Sequence, residues 1–204
     1  MEQKANVVWN YDGEPDFMAG TGATIAEQAL GWAAGLMGAG LYVYLYLTGQ
    51  LDWAWWQYLV AGLLAFDVAG GVVANALNSC KRFYHTPARA DEPPSARWFK
   101  NHLFFSSFHV HTLLAAWLFG PGDLLYGVFW YFFLLGGTLI VTRTALYLQR
   151  PVSFFLIVLA LLLNMYVVAP VPGFEWLAPA IMIKILYAHN VREEPYRPSS
   201  ETPA

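Results

Sequence analysis

The residues best placed to do chemistry in this chain begin in "LAFDVAGGVVANALNSCKRFYH", Leu64 to His85. Asp67 sits in the apolar half of that stretch, Asn75 and Asn78 follow it, and the first cations, Lys81 and Arg82, come only at its polar end. A second group lies in "KNHLFFSSFHVH", where His102, Ser106, His109 and His111 follow Lys100. Asn164 and Lys184 are isolated polar residues in two later apolar stretches. An ionisable side chain inside such a stretch is costly, and it marks a proton relay, a substrate path or a helix–helix contact. A carboxylate beside an imidazole, whose ordinary pKa of about 6.5 suits switching near neutrality, can relay protons or do acid–base work.

The elements that must position these groups are membrane helices. The chain has 204 residues, 57% of them hydrophobic and 12% charged, with 9 Trp, 12 Tyr and 14 Phe. A soluble domain carries about 25% charged residues, so the composition points to lipid as the main solvent. The net charge of −3 singles out no partner and gives no reason to expect nucleic acid. The single cysteine, Cys80, excludes an intrachain disulfide framework and any cysteine-built metal site. The polar, acidic opening lacks the short apolar core of a cleavable signal, so the first apolar segment reads as a retained span.

Runs of about 20 apolar residues are long enough to cross hydrocarbon. Six segments qualify as candidates: 26–47, 55–77, 102–119, 124–141, 152–169 and the shorter 176–188. The reading is therefore an all-α, polytopic transmembrane bundle: a polar N-terminal segment (1–22), one helical domain (23–191) with a long loop (79–100), and a flexible tail (192–204). With the N-terminus inside, Lys4, Lys81, Arg82, Arg89, Arg97, Lys100, Arg143, Arg150, Arg192 and Arg197 all fall on the cytosolic side. The outer loops hold Asp52, Asp123 and Glu175 and no cation. This bias predicts both termini in the cytosol of a multi-pass membrane protein, in the inner membrane if the cell is prokaryotic. Tyr42, Trp53, Trp55 and Trp176 would mark the outer edge, and Trp98 and Phe99 the inner one. Small residues such as Gly31, Gly35, Gly38, Gly70 and Gly71 would let helices approach closely.

Depth follows from a rise of about 1.5 Å per residue: Asp67 lies about 21 Å from Lys81, Asn164 about 21 Å from Arg150, His109 about 14 Å from Lys100, and Lys184 about 12 Å from Arg192. Helical spacing places Asp67, Gly71, Ala74 and Asn78 on one stripe of the second segment. If the third segment is a regular helix, His109 and His111 point to opposite sides, and His109 is the one expected to face Asp67. The expected site is a polar column open to the cytosol. It runs from Asn78 and His102 past Asn75 and Ser106 to His109 and Lys184, and ends at Asp67 and Asn164.

Each residue also has a plain structural role. Asp67 can hydrogen-bond Asn164 or His109 and simply hold helices together. Lys184 can snorkel to the inner headgroups. His85, His102 and His189 suit the interface, and His111 suits a helix–helix hydrogen bond. The basic loop is first a topology signal and second a surface for anionic lipid. Three functions remain in play: proton-linked transport of a small solute or ion, a membrane-embedded enzyme acting on a lipid or isoprenoid, and a structural or assembly subunit. No nucleophile motif, zinc-protease motif or histidine-rich box is present, and the sequence points to no particular metal or cofactor.

Overall fold

The computed structural model describes residues 5–120, 122 and 124–198; Lys4, Asp123 and the tail from 199, which entered the topology reading, lie outside them. Helices make up most of the chain. Helix α1 spans Ile25–Thr48, opened by a reciprocal capping box between Thr24 and Glu27 and closed by Gly49 at φ 62°. It is followed by α2 (Trp55–Ala74), α3 (Asn78–Tyr84), α4 (Ala96–Phe99), α5 (His102–Ser107), α6 (His111–Phe119), α7 (Leu125–Arg143) and α8 (Leu146–Tyr166). The last helix, α9 (Leu177–Met182), runs on as a π-helix through Ile183–His189. Among the described residues, four helices, α1, α2, α7 and α8, are long and apolar enough to cross a membrane. Their outward faces carry large apolar side chains: Leu36, Met37, Phe155 and Met165 are each more than 60% exposed. A surface of that kind suits lipid contact, not water.

The third apolar segment is not the regular helix expected from its length. The chain breaks between α5 and α6, where the amide of Val110 bonds the carbonyl of Phe108 in place of a helical partner. Side chains on either side of Phe108–Val110 therefore do not follow one helical wheel. The buried core gathers α2, α7 and α9 around Trp130, Leu134, Ile181 and Ile185, all at most 1% exposed. Helix α1 packs chiefly on α2 through small residues. A Cβ on Gly38 would meet the carbonyl oxygen of Ala65 at 2.5 Å, so only glycine allows this approach.

The two terminal segments meet at one end of the bundle. Strand β1 (Ala5–Val7) pairs antiparallel with β2 (Tyr196–Pro198). Residues 192–198, read from sequence as the start of a free tail, are packed there: Arg192 lies 4.5 Å from the Trp9 ring and the Tyr196 amide donates to Asn78 Oδ1 at 2.8 Å. Phe17 packs edge-on to Phe83 and Phe99, and Arg89 donates to the carbonyls of Tyr11 and Gly13. These segments, α3 and the loop before α5 form a polar cap over the bundle. At the opposite end, Tyr42 donates to the Gly173 carbonyl at 2.7 Å and packs among Trp53 and Phe174.

Candidate functional site

Asp67 lies near the middle of α2, and two cations or donors converge on one of its carboxylate oxygens. Lys184 Nζ is 2.6 Å from Asp67 Oδ2 and also donates to the Asp67 carbonyl at 3.2 Å. His111 Nε2 is 2.7 Å from the same Oδ2. This is a correction to the choice of His109. The break at Phe108–Val110 turns α6 relative to α5, so the imidazole at its first residue, His111, reaches the carboxylate. A carboxylate oxygen accepts, so His111 donates from Nε2, while its Nδ1 is buried without a hydrogen-bond partner among the described residues. His109 sits next to it, ring centroids 5.6 Å apart. Its Nδ1 is 3.0 Å from the Phe105 carbonyl, which can only accept, so Nδ1 holds the proton and Nε2 is left as a free acceptor.

Lys184 reaches Asp67 only because of Gly71, since a Cβ there would come within 2.2 Å of Lys184 Cε. Its backbone is fixed as well, with Asn75 Nδ2 donating to the Lys184 carbonyl at 3.3 Å. Lys184 stands at the start of the π-helical stretch, a geometry that recurs at functional sites. The Lys184 side chain is 5% exposed and that of His111 13%, whereas that of Asp67 is 54% exposed. The exposure has a structural cause: Asp67 opens onto a cavity of about 640 Å3. Phe66, Trp32, Phe105 and Phe108 supply apolar wall, His109 and His111 line one side, and Asp16–Ala19 of the N-terminal segment border it. A volume of that size lies within the usual range for small-molecule sites, about 300–1,000 Å3.

Of the residues singled out from sequence, Asp67, Asn75, His109, His111 and Lys184 share this cavity. The others lie elsewhere. Asn164, near the end of α8, donates to the Glu175 carbonyl at 2.8 Å and so ties α8 to the loop before α9, away from Asp67. Asn78 opens α3 in the cap. Ser106 bonds its own helix at the His102 carbonyl and accepts from Thr138, which in turn accepts from Asn190. Lys184 does not snorkel to a headgroup level; it points inward to α2. The N-terminal contribution was not anticipated, although the Thr24–Glu27 box that opens α1 is visible in the sequence and Glu27 also accepts from the Ser79 amide at 3.3 Å.

His102, His189 and His85 form a separate cluster below the cap. His189 is 1% exposed, not at the surface expected of it, and stacks on Phe105 at 3.9 Å. Its Nε2 lies 3.0 Å from His102 Nδ1. His189 Nδ1 is buried without a partner, and a lone pair is cheaper there than an N–H, so Nε2 donates to His102. His85 Nε2 donates to the His189 carbonyl at 2.9 Å. Lys81 donates to the carbonyls of Ala188 and Val191, capping the end of the π-helix with positive charge. Burial lowers its pKa to about 8, opposed by Glu193, so it remains mostly charged at neutral pH. Burial pushes the Cys80 thiol up to about 12, which leaves it unreactive. Among the described residues, no group of three or more His, Cys, Asp or Glu side chains is arranged to hold a metal ion.

His85 makes the cap sensitive to acid. Burial first, and then the neighbouring His102 and Lys81, hold its pKa well below the ordinary 6.5. The unfolded chain therefore binds the proton first. The stability contribution is complete above about pH 6.5 and falls steadily as the pH drops below it. The detergent-solubilised protein should show a lower melting temperature at pH 5 than at pH 7.5, and His85→Gln should flatten part of that slope. An unchanged slope in the variant would remove His85 as its cause.

No family model, no curated protein and no solved structure matches this chain. The class of the molecule is thus defined by its own features: a mostly helical protein with four helices long and apolar enough to cross a membrane.

Proposed function

We propose that this is a six-span membrane protein whose cavity takes up a small amphiphilic molecule and acts on it by acid–base chemistry, as a membrane-embedded enzyme for a lipid or isoprenoid would. One observation carries this reading: the Asp67 carboxylate, held by Lys184 and His111, forms the polar floor of an otherwise largely apolar cavity. Asp67 and His109 line that space, and Asp67 Oδ1 and His109 Nε2, which have no hydrogen-bond partner among the described residues, are its bases. In the six-span arrangement, α5 with α6 and α9 with its π-helical continuation complete the set begun by the four longer helices. The pairing of β1 with β2 supports an even number of crossings, and the cations of the cap support placing that end in the cytosol.

Proton-linked transport is the second reading, favoured by one feature. Phe66 lines both this cavity and a second one of about 450 Å3 that reaches Tyr42 and Tyr58, so its ring stands between the two. The second cavity argues against a polar cargo, because the polar side-chain groups of its lining are the hydroxyls of Tyr42, Tyr46 and Tyr58 and the indole N–H of Trp55, with no charged residue. Native mass spectrometry of the protein released from bilayers tests the main reading. A co-purifying amphiphile should be held at close to one per chain and be lost at least tenfold in Asp67→Asn. Equal retention by the variant would sink the proposal.

A further inference from the structure

The polar inventory of the cavity restricts the head group it can take. Three carboxylates line it, Asp16, Glu27 and Asp67, against a single lysine, Lys184. Lys184 is already committed to Asp67 through its side chain and main chain. Asp16 Oδ1 accepts the amides of Met18 and Ala19, both at 2.6 Å. Both oxygens of Glu27 are occupied, one by Thr24 and the other by the Ser79 amide. Tyr84 donates its hydroxyl to the Phe17 carbonyl, and Asn75 donates its amide to Lys184. Asp67 Oδ1 and His109 Nε2 are acceptors with no hydrogen-bond partner among the described residues, whereas the N–H groups left on Gln28, Asn75 and Trp32 are neutral donors that bring no positive charge to the lining. An anionic head would meet carboxylates and lone pairs with no spare cation to offset its desolvation. A head that donates hydrogen bonds would satisfy both acceptors at once.

We infer that the cavity selects a long-chain amphiphile with a hydrogen-bond-donating head, a hydroxyl or an amine, and rejects phosphate- and carboxylate-headed lipids. This inference rests on the reading of the cavity as a ligand site. The head lies between Asp67 Oδ1 and His109 Nε2, and the chain lies along Phe66, Trp32 and Phe108. Trp32 is an internal reporter, because its ring forms part of the wall and packs on Phe66 at 5.6 Å.

The test uses the full chain labelled with 5-fluorotryptophan in nanodiscs, with the Trp32 fluorine resonance assigned from Trp32→Phe. Dodecanol, dodecylamine and dodecyl phosphate are titrated separately. Dodecanol or dodecylamine should shift the Trp32 resonance saturably, at least tenfold more tightly than dodecyl phosphate, and the ratio between those two tells a neutral head from a cationic one. His109→Leu should weaken the preferred probe about tenfold, and His109→Gln, which keeps an acceptor, should stay within about threefold of the wild type. Should His109→Leu not fold, the three-probe series on the wild type decides alone. Dodecyl phosphate binding as tightly as the others overturns the head-group assignment while leaving the cavity reading intact. If no probe saturates, both fall together.

Discussion

Asp67→Asn should destabilise the protein by about 3–5 kcal/mol, because it leaves the Lys184 ammonium buried with no opposite charge. Lys184 is 5% exposed, and among the described residues its carboxylate partner is Asp67. The reverse change is milder. Lys184→Met leaves a carboxylate that still accepts from His111 and still opens to the cavity, and its cost should be about 1–3 kcal/mol. The double variant should then be more stable than Asp67→Asn alone, since removing both charges removes the orphan. Reversible unfolding in mixed micelles, taken round the full cycle, reads this as a coupling of opposite sign to the single costs. Simple additivity would show that the two groups do not stabilise each other. The cycle also bears on function. A pair retained only for stability is often replaceable by apolar residues at little cost, so a folded double variant that no longer holds ligand would assign the pair to the site.

The second large effect comes from one added methyl group. Gly71→Ala puts a Cβ within 2.2 Å of Lys184 Cε and 2.7 Å of its Nζ. Either the two helices separate or the lysine leaves Asp67, and forced packing of this kind costs about 1–3 kcal/mol. The sign should reverse when the lysine is removed. In a Lys184→Ala background the space is free, and alanine is a better helix former than glycine by about 1 kcal/mol, so the same change should be neutral or stabilising. The check is to compare unfolding free energies of Gly71→Ala in the two backgrounds. An equal penalty in both would mean that Gly71 serves the backbone, not the passage of Lys184. Activity or ligand retention should follow the same pattern, because moving Lys184 leaves Asp67 with His111 as its remaining side-chain donor.

Much of this site was legible because polar residues in apolar stretches are few. Asp67 and Lys184 stand out by type alone, and counting residues along regular helices placed both well inside the bundle. Asn164 shows where that method stops. It has the right depth by residue count, yet its amide is spent on the Glu175 carbonyl at the opposite end, because depth says nothing about which neighbour a helix face meets. The histidine pair shows another limit. A wheel drawn through 102–119 sends His109 and His111 to opposite sides, and that geometry is lost once the chain breaks at Phe108–Val110. Nothing in "SSFHVH" announces a break, since it holds no proline or glycine.

Composition and hydropathy alone mark a mostly helical chain with segments long and apolar enough to cross a membrane. Low charge, long apolar runs and cations gathered in a few loops are properties of the chain that need no partner to be read. The sequence also marked Asp67 as a carboxylate that needs partners inside the bundle, while leaving Lys184 free to snorkel to the inner headgroups. Tertiary structure alone decided that they shelter each other. It also decided that His111 joins them, that Gly71 makes the room, and that the N-terminal segment closes over the cavity beside them. The physical reason is that each of these is a contact between elements far apart in the chain. Such contacts are set by which faces pack, and packing is a property of the whole bundle that local periodicity does not carry.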